Sequence, residues 1–461
     1  MAQFSINLVT IAIIGKLLGV DEMGGATLAL SLVNATGFAV GTGLCGALET
    51  VLSHAYGDWE KQQQLTAKGD ASSSAPSDTE PDAMRGDKGK EALRLYIYGT
   101  YAQRMTLILL LAAFPLGIIL CFVDRVLQLF EDSPSTLYYM ASWCTIVIFG
   151  LPVTLLIPLI QRYYSCQRVT KPLLVALFLA AAVNPGLQVG FIKLMGYKGS
   201  TVAWMLLMLG LLLGIILHIR WTGLYRLTWG GWNQQSIQNL GPLTRLALPS
   251  LGMMMCEWVA VEVVALIAGS APSNDLAAFS ISLNIFGLLW GVTSGVIIIT
   301  SVFVGNAIGG RKPLFARRIA LISIVLVFCI SCIDVLLILL LNPYIPSFFT
   351  NEPKVVVIYQ KIMRSALPYH IVDTLQSTMM AILRGCGLQS LGAIIISIAL
   401  CVVGVPLSCI LFFHFKLGVV SLWVGLLIGV GGVGVPLYLY VIFRYIDWKS
   451  LKPHNDDSIH L

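Results

Sequence analysis

Long apolar stretches recur along the whole chain and restrict what it can fold into. About 20 predominantly apolar residues are needed for a helix to cross a bilayer. Composition agrees, because 57% of the residues are hydrophobic and 11% are charged, whereas soluble domains carry about 25% charged residues. We therefore predict an all-α, polytopic membrane protein with twelve transmembrane helices. The predicted spans are residues 4–19, 25–53, 96–122, 137–160, 172–195, 199–220, 243–270, 276–307, 317–341, 356–383, 389–413 and 418–443.

The first of these stretches is the shortest. At 1.5 Å per residue, residues 4–19 form a helix about 24 Å long, while the hydrocarbon core of a bilayer is about 30 Å thick. Either this helix is short, or the sequence begins inside it.

The basic residues are unevenly distributed between the loops. If both termini lie on one side, that side carries 20 of the 29 Lys and Arg residues, the opposite side carries eight, and Arg104 lies within the third span. Loops rich in Lys and Arg tend to stay in the cytosol. Both termini are therefore predicted to be cytosolic, and the net charge of +6 reflects this topology and not a nucleic-acid partner.

Two polar segments interrupt the apolar pattern. Residues 57–93 form a cytosolic insertion, and its central part, residues 66–91, is rich in Ser, Pro and Asp and lacks aromatic residues. Such a composition predicts disorder. Residues 223–241 contain several aromatic residues, which is typical of a segment lying at the membrane interface. The expected organisation is an N-terminal six-helix lobe over 1–222, a linker over 223–241, a C-terminal six-helix lobe over 242–446 and a cytosolic tail over 447–461.

The two lobes resemble each other in sequence. Small residues of the second span recur in the eighth span at an offset of 252, and a proline and an arginine near the fourth span recur near the tenth at an offset of 216. The difference between the offsets, 36, is close to the length of the polar insertion, which only the first half carries. We predict two lobes related by a pseudo-two-fold axis along the membrane normal, the geometry of an alternating-access transporter. The matched pairs are Ala26 and Ala278, Gly43 and Gly295, Ala55 and Ala307, Gly57 and Gly309, Pro152 and Pro368, and Arg168 and Arg384.

Motifs for other functions are absent or out of place. The sequence has no G-x-x-x-x-G-K-[ST] motif, which excludes a bound-ATP motor of that type. The G-x-G-x-x-G pattern at Gly429, Gly431 and Gly434 lies inside the last apolar span, so we interpret it as close helix packing. No metal-binding or hydrolytic constellation of side chains is recognisable, and we expect neither an enzyme nor a resident cofactor.

Five acidic residues fall within the predicted spans: Glu49, Glu257, Glu262, Asp334 and Asp373. Ionisable residues inside a membrane are costly and usually functional. Because Arg104 is the one comparable basic residue, at least some of these acids are expected to lack an ion-pair partner. Burial favours the neutral form of a carboxyl group, so such an acid can exchange a proton near neutral pH.

Helical geometry separates these acids. Glu257 and Glu262 are five residues apart, which places them about 140° apart around a helix. In the tenth span a polar stripe follows helical spacing, with Tyr369, Asp373, Gln376 and Ser377 on one face. We expect Asp373 and one of the two glutamates to share a cavity in the second lobe. A purely structural hydrogen-bonding role is the alternative for each acid, and it is favoured for Asp334.

Several further residues are candidates for binding a flat, apolar cation, because methionine and aromatic side chains suit such ligands. Core packing is the alternative for each of them. His218 and His370 are expected at the membrane interface. The candidate substrate-binding residues are Met254, Trp258, Asn284, Trp290, Tyr369, Gln376 and Ser377.

Three stretches together resemble the multidrug and toxic compound extrusion (MATE) transporters, in particular their eukaryotic, plant-like branch. They are "LVNATGFAVGTGLCGALETVLSHAYG" in the second span, "LPSLGMMMCEWVAVE" in the seventh and "VDTLQSTMMAILRGCGLQSLGA" in the tenth. The likeness covers nearly the whole chain. It departs from the family pattern at Glu49, where Asp is usual, at Phe303, where a basic residue is usual, and at Ala307, where an acidic residue is usual.

The resemblance implies a function. Members of this family act as antiporters that expel organic cations, xenobiotics or secondary metabolites, and the expected coupling ion is the proton. On the matching positions, proton coupling is assigned to Glu257 and Asp373, with Glu262 as a further candidate and Glu49 as a gate or structural acid. The implied protein is a monomer in a plasma or vacuolar-type membrane. Alternatives are a flippase for lipid-linked precursors, a sodium-coupled exporter and a non-transporting scaffold.

Overall fold

The computed structural model describes residues 2–72, 82–122, 134–232, 234–346, 349 and 352–453. Within these residues the chain is helical and forms no β-strand. Each predicted span overlaps one helix, so the all-α polytopic fold class is confirmed.

The helices follow one another with short connections. The first six are α1 (Ala2–Leu17), α2 (Val20–Val33, continued through Asn34–Ala39 and Val40–Ser72), α3 (Asp82–Cys121), α4 (Pro134–Cys166), α5 (Lys171–Met195) and α6 (Tyr197–Trp221). A short helix, Leu224–Thr228, and a 3₁₀ turn, Gln234–Ser236, come next. The last six are α7 (Leu240–Ala268), α8 (Ser273–Gly309), α9 (Pro313–Leu341), α10 (Pro353–Gly385), α11 (Gln389–His414) and α12 (Val420–Tyr445).

Ten of these helices are long and apolar enough to cross a membrane, counted over the residues that the structure describes. The two exceptions have different causes. Helix α1 has only 16 residues. Helix α10 has 33 residues, but it carries the polar stripe and several charged side chains, which lower its hydropathy.

The polar insertion differs from its prediction. Helix α2 continues to Ser72 and helix α3 begins at Asp82, so the backbone of residues 66–72 and 82–91 is helical where disorder was expected. The remainder of the insertion, residues 73–81, lies outside the described residues. The helical extension of α2 is fastened to the end of α4, because Arg168 donates two hydrogen bonds of 3.2 Å to the carboxylate of Glu60.

The chain divides into two compact units, Met1–Ala247 and Leu248–Leu461. In the first unit α2 packs against α3 and α4, α4 also packs against α3 and α6, and α5 packs against α6. In the second unit α8 packs against α9 and α10, α10 also packs against α9 and α12, and α11 packs against α12. These are the same pairs shifted by six helices, which agrees with the sequence repeat. The residues of the predicted linker, 223–241, belong to the first unit.

Helices α11 and α12 approach each other with their backbones in contact. A Cβ atom added to Gly429 would lie 2.3 Å from the carbonyl oxygen of Ala399 and 2.6 Å from the Cα atom of Gly404. Only glycine fits at such a distance. The packing interpretation of the glycine pattern in the last span is therefore confirmed.

Candidate functional site

A buried aspartate and a half-buried glutamate meet between α10 and α7 of the second unit. The Asp373 side chain on α10 is 1% exposed, and its Oδ1 atom accepts a hydrogen bond of 3.1 Å from the Tyr369 hydroxyl. Glu257 on α7 accepts a hydrogen bond of 3.0 Å from Ser377. The two carboxylates interact electrostatically. The site therefore holds two acids whose hydrogen-bond donors are neutral hydroxyl groups.

The helical spacing of α10 explains why these groups come together. Tyr369, Asp373 and Ser377 are four residues apart in turn, so they lie one above another on the same face. All three are buried, and so is Gln376. Exposing this polar face of α10 to lipid would be energetically costly. The hydrogen bond from Ser377 to Glu257 shows that the face contacts α7 instead.

Two polar groups of the site have unused hydrogen-bonding capacity. The Oδ2 atom of Asp373 and both amide atoms of Gln376 are buried and have no hydrogen-bond partner in the part of the chain that the structure describes. Gly434 of α12 leaves room for this amide, since a Cβ atom there would lie 2.2 Å from Gln376 Oε1. Unsatisfied buried polar groups cost about 1–3 kcal/mol each. Native structures keep few of them without a function.

Three aromatic rings form a cluster around Tyr369, whose hydroxyl donates to Asp373. The centroids of Phe286, Tyr369 and Trp423 are 5.1–5.4 Å apart, and the Trp423 indole is fixed by a 3.2 Å hydrogen bond from Nε1 to Ser282 Oγ. Phe286 and Trp423 were not predicted from the sequence. Neither carries a signal of its own, because aromatic residues are common in apolar helices and only the packing of α8, α10 and α12 groups these three.

Arg384 supplies a positive charge near this site. It is buried at the end of α10 and interacts electrostatically with Glu257. From the sequence it was assigned to a cytosolic loop. The helix extends to Gly385 and not to residue 383 as predicted, so Arg384 lies on α10 and not in a loop.

Glu49 in the first unit is fully buried, and it forms a 2.8 Å ion pair with Arg162. The expectation that Arg104 is the one comparable internal base is therefore wrong. Helix α4 extends to Cys166 and not to residue 160 as predicted, so Arg162 lies on the helix and not in a loop. This pair gives Glu49 a charged partner, which Asp373 lacks among its described contacts.

His370 is also buried and does not lie at the membrane interface, so that prediction is wrong. Its Nε2 atom is 3.4 Å from Oδ2 of Asp334. One turn along, the hydroxyls of Ser331 and Thr374 are 2.7 Å apart. Together these contacts join α9 to α10.

The other predicted site residues lie in less enclosed positions. Glu262 is exposed on α7, about 140° around the helix from Glu257. Asn284 is exposed, and its amide donates a 2.9 Å hydrogen bond to the Ser280 carbonyl of its own helix. Met254 is buried, while Trp258 and Trp290 are half-buried. The structure thus brings together Glu257, Asp373, Tyr369, Gln376 and Ser377.

Comparison with known proteins is consistent across sequence and structure. The MatE family model matches residues 1–64, 94–189 and 249–410, which include Glu49, Glu257 and Asp373. Multidrug and toxin extrusion protein 2 of Mus musculus is 29% identical over 446 residues, covering 96% of this chain and 72% of that protein. Multidrug and toxin extrusion protein 1 of Homo sapiens is 29% identical over 435 residues, covering 94% of this chain and 70% of that protein.

Solved structures show the same fold. The crystal structure of the eukaryotic MATE transporter AtDTX14 matches with a TM-score of 0.84 at 20% identity, covering 97% of this chain and 93% of that chain. An outward-facing conformation of a multidrug resistance MATE family transporter matches with a TM-score of 0.77 at 17% identity, covering 95% and 91%.

Proposed function

Because this chain belongs to the MATE family of multidrug and toxin extrusion transporters, we propose that it is a secondary active antiporter. It exports organic cations, xenobiotics or secondary metabolites in exchange for protons by alternating access. The observation that supports this most is the pair formed by Asp373 and Glu257, two interacting acids inside the membrane-spanning helices. In the described part of the chain their hydrogen bonds come from the hydroxyl groups of Tyr369 and Ser377.

The exchange follows from the charge of this pair. Two negative charges close together in a medium of low dielectric constant repel each other, and their protons bind as a coupled system. The deprotonated pair attracts a cation, while the protonated pair does not. A cation and a proton therefore compete for the same negative charge. Each time the site changes from facing one side of the membrane to facing the other, it carries either the cation or the proton.

The aromatic rings provide the other half of a cation site. The rings of Phe286, Tyr369 and Trp423 form one cluster, which the Tyr369 hydroxyl joins to Asp373. An organic cation over an aromatic face gains about 0.5–2 kcal/mol. The unpartnered Gln376 amide can donate or accept a hydrogen bond from a substrate. A flat cation with apolar substituents suits this combination better than a hydrated metal ion.

Transport by the purified protein in liposomes tests the assignment. With a proton gradient and no sodium gradient, the wild-type chain should move a fluorescent organic cation. Glu257→Gln and Asp373→Asn keep the size of the side chains but remove the titratable charge, so each should lower proton-driven transport at least tenfold. Asp275→Asn, an equivalent change in the first turn of α8, should have no effect.

A second measurement separates coupling from folding. Exchange of labelled for unlabelled cation across the liposome, with no gradient imposed, requires a folded carrier but no net proton movement. The two variants should retain part of this exchange. Proton-driven transport at the wild-type rate in both variants would contradict the assignment, and transport driven by sodium alone would replace the proton as the coupling ion.

A further inference from the structure

A cavity of about 340 Å³ lies in the first unit, outside the site on α7 and α10. Its walls come from α3, α4 and α6, and Tyr225 and Trp229 of the segment after α6 close one side of it. The wall residues are mainly aliphatic, among them Leu156, Ile160 and Leu212. Arg220 is the one charged side chain among the described residues that line it. The cavity is therefore an apolar slot with a single guanidinium at its edge.

The segment that closes the cavity is hydrogen-bonded to α3 and α4. The Thr228 and Tyr163 hydroxyls form a hydrogen bond. Gln103 of α3 donates a 3.0 Å hydrogen bond to the Gly231 carbonyl, and Arg104 donates a 3.2 Å hydrogen bond to the Gln235 carbonyl. Side-chain hydrogen bonds therefore hold the wall of the slot in place against α3 and α4.

Arg220 lies at the last turn of α6, where the predicted topology places the cytosolic surface of the membrane. Its guanidinium stacks over the Tyr225 ring at 5.7 Å, and it forms no ion pair with an acidic side chain in the described part of the chain. Arg226 hydrogen-bonds to the Tyr225 hydroxyl and lowers the pKa of that phenol. The next residue, Trp221, is 90% exposed, as is usual for tryptophan at the lipid headgroup level.

A second, more open recess shares Arg220. It has a volume of about 600 Å³ and is lined also by Leu217, His218 and Trp221. Arg220 thus stands between two apolar surfaces, one on each side of the end of α6. A diacyl phospholipid combines the same parts, because its glycerol carries two apolar acyl chains and one phosphate.

We propose that this slot binds one anionic phospholipid of the cytosolic leaflet, with an acyl chain inside the cavity and the phosphate at Arg220. The apolar walls exclude a free phosphate or another small hydrophilic anion. The guanidinium repels an organic cation, so the slot is not a second site for the transported substrate. Basic pockets between helices on the cytosolic side of membranes suit anionic headgroups. The inference does not depend on the transport function proposed above.

Native mass spectrometry of the full chain in detergent tests the proposal directly. Phosphatidylserine and phosphatidylcholine are added separately, and the dissociation constant of the first bound lipid is measured. We expect phosphatidylserine to bind about fivefold more tightly, the ratio that corresponds to the ~1 kcal/mol contributed by one basic residue at a membrane surface. Arg220→Gln should remove this preference, and Arg220→Lys should keep it.

The corresponding arginine of the second unit provides a matched control. Arg444 also lies in the last turn of the last helix of its unit and is exposed, but it does not line the slot. Arg444→Gln should leave the preference for phosphatidylserine unchanged. An equal loss in both arginine variants would mean that surface charge alone attracts the lipid, which would overturn the proposal.

The acyl chain needs its own test. Ile216 lines the cavity and is partly exposed, so Ile216→Trp fills the slot without crowding the core of the unit. It should weaken binding of both lipids, with an unchanged thermal unfolding midpoint. Glycerophosphoserine, which has no acyl chains, should not displace bound phosphatidylserine. Displacement by glycerophosphoserine, or by a hydrophobic organic cation, would overturn the lipid assignment.

Discussion

At the scale of single residues, the acids within the helices differ in the groups that hold them. Glu49 has a cationic partner, Arg162, at 2.8 Å. Asp373 and Glu257 are held by hydroxyl groups. A carboxylate in a direct ion pair with arginine is stabilised in its charged state. A hydroxyl donor favours that state less strongly, so Asp373 and Glu257 can exchange a proton more readily than Glu49, even with Arg384 interacting with Glu257. The proposed division into structural and coupling acids follows from this difference.

The ion pair in the first unit leads to a prediction about stability. Removing one partner of a buried pair leaves an uncompensated charge and costs about 3–5 kcal/mol, while replacing both with apolar residues of similar size is often neutral. Glu49→Leu should therefore lower the unfolding midpoint in detergent strongly. The double variant Glu49→Leu with Arg162→Met should recover most of the loss. Additive losses in the double variant would show that the two residues contribute independently.

At the scale of helices, α11 and α12 are held together by close backbone contact. Gly429 of α12 meets Ala399 and Gly404 of α11, and the Tyr438 hydroxyl donates a 2.7 Å hydrogen bond to the Gly392 carbonyl. Small residues allow the two helix backbones to approach closely. In a bilayer such contact stabilises a helix pair through van der Waals packing and through the release of lipid from the helix surfaces. Since Gly434 also borders the Gln376 amide, this packing sets the space of the candidate site.

A methyl group added at this contact should separate the two helices. In Gly429→Ala the new Cβ atom would lie 2.3 Å from a backbone carbonyl, and backbone atoms cannot rotate away. Inserting atoms into a packed core costs typically 1–3 kcal/mol, so the thermal unfolding midpoint should fall. Gly432→Ala is the matched control on the same helix, because its nearest neighbour would be a side-chain atom of Ile428 at 3.9 Å. Equal midpoints for the two variants would contradict the prediction.

At the scale of the whole molecule, the two units use the same helix pairs but differ in chemistry. By the offset of 216 that relates α4 to α10, the position of Asp373 corresponds to Ile157 and that of Gln376 to Ile160. The first unit is therefore apolar where the second unit is acidic and polar. The two units therefore share the same pairs of packed helices but differ in the side chains at these positions. This is why the proposed proton site is assigned to one unit and the proposed lipid slot to the other.

The orientation in the membrane is a separate prediction for the whole chain. The excess of basic residues in one set of loops predicts that the connection between α8 and α9 is cytosolic and that between α11 and α12 is not. In a background lacking the exposed native cysteines, Leu417→Cys should react with a membrane-impermeant maleimide added to intact cells. Lys312→Cys should react only after the cells are opened. The reverse pattern would mean that the termini lie outside.

The sequence by itself determined the class of fold, the number of helices and the internal repeat, because hydropathy and helical spacing are local properties of the chain. The spacing also determined which polar residues share a face of α10. Tertiary structure decided which helix each face meets. It gave Glu49 the partner Arg162, buried His370 against Asp334, left Glu262 exposed and grouped Phe286 and Trp423 around Tyr369. These outcomes depend on contacts between residues far apart in the chain, and no local pattern encodes them.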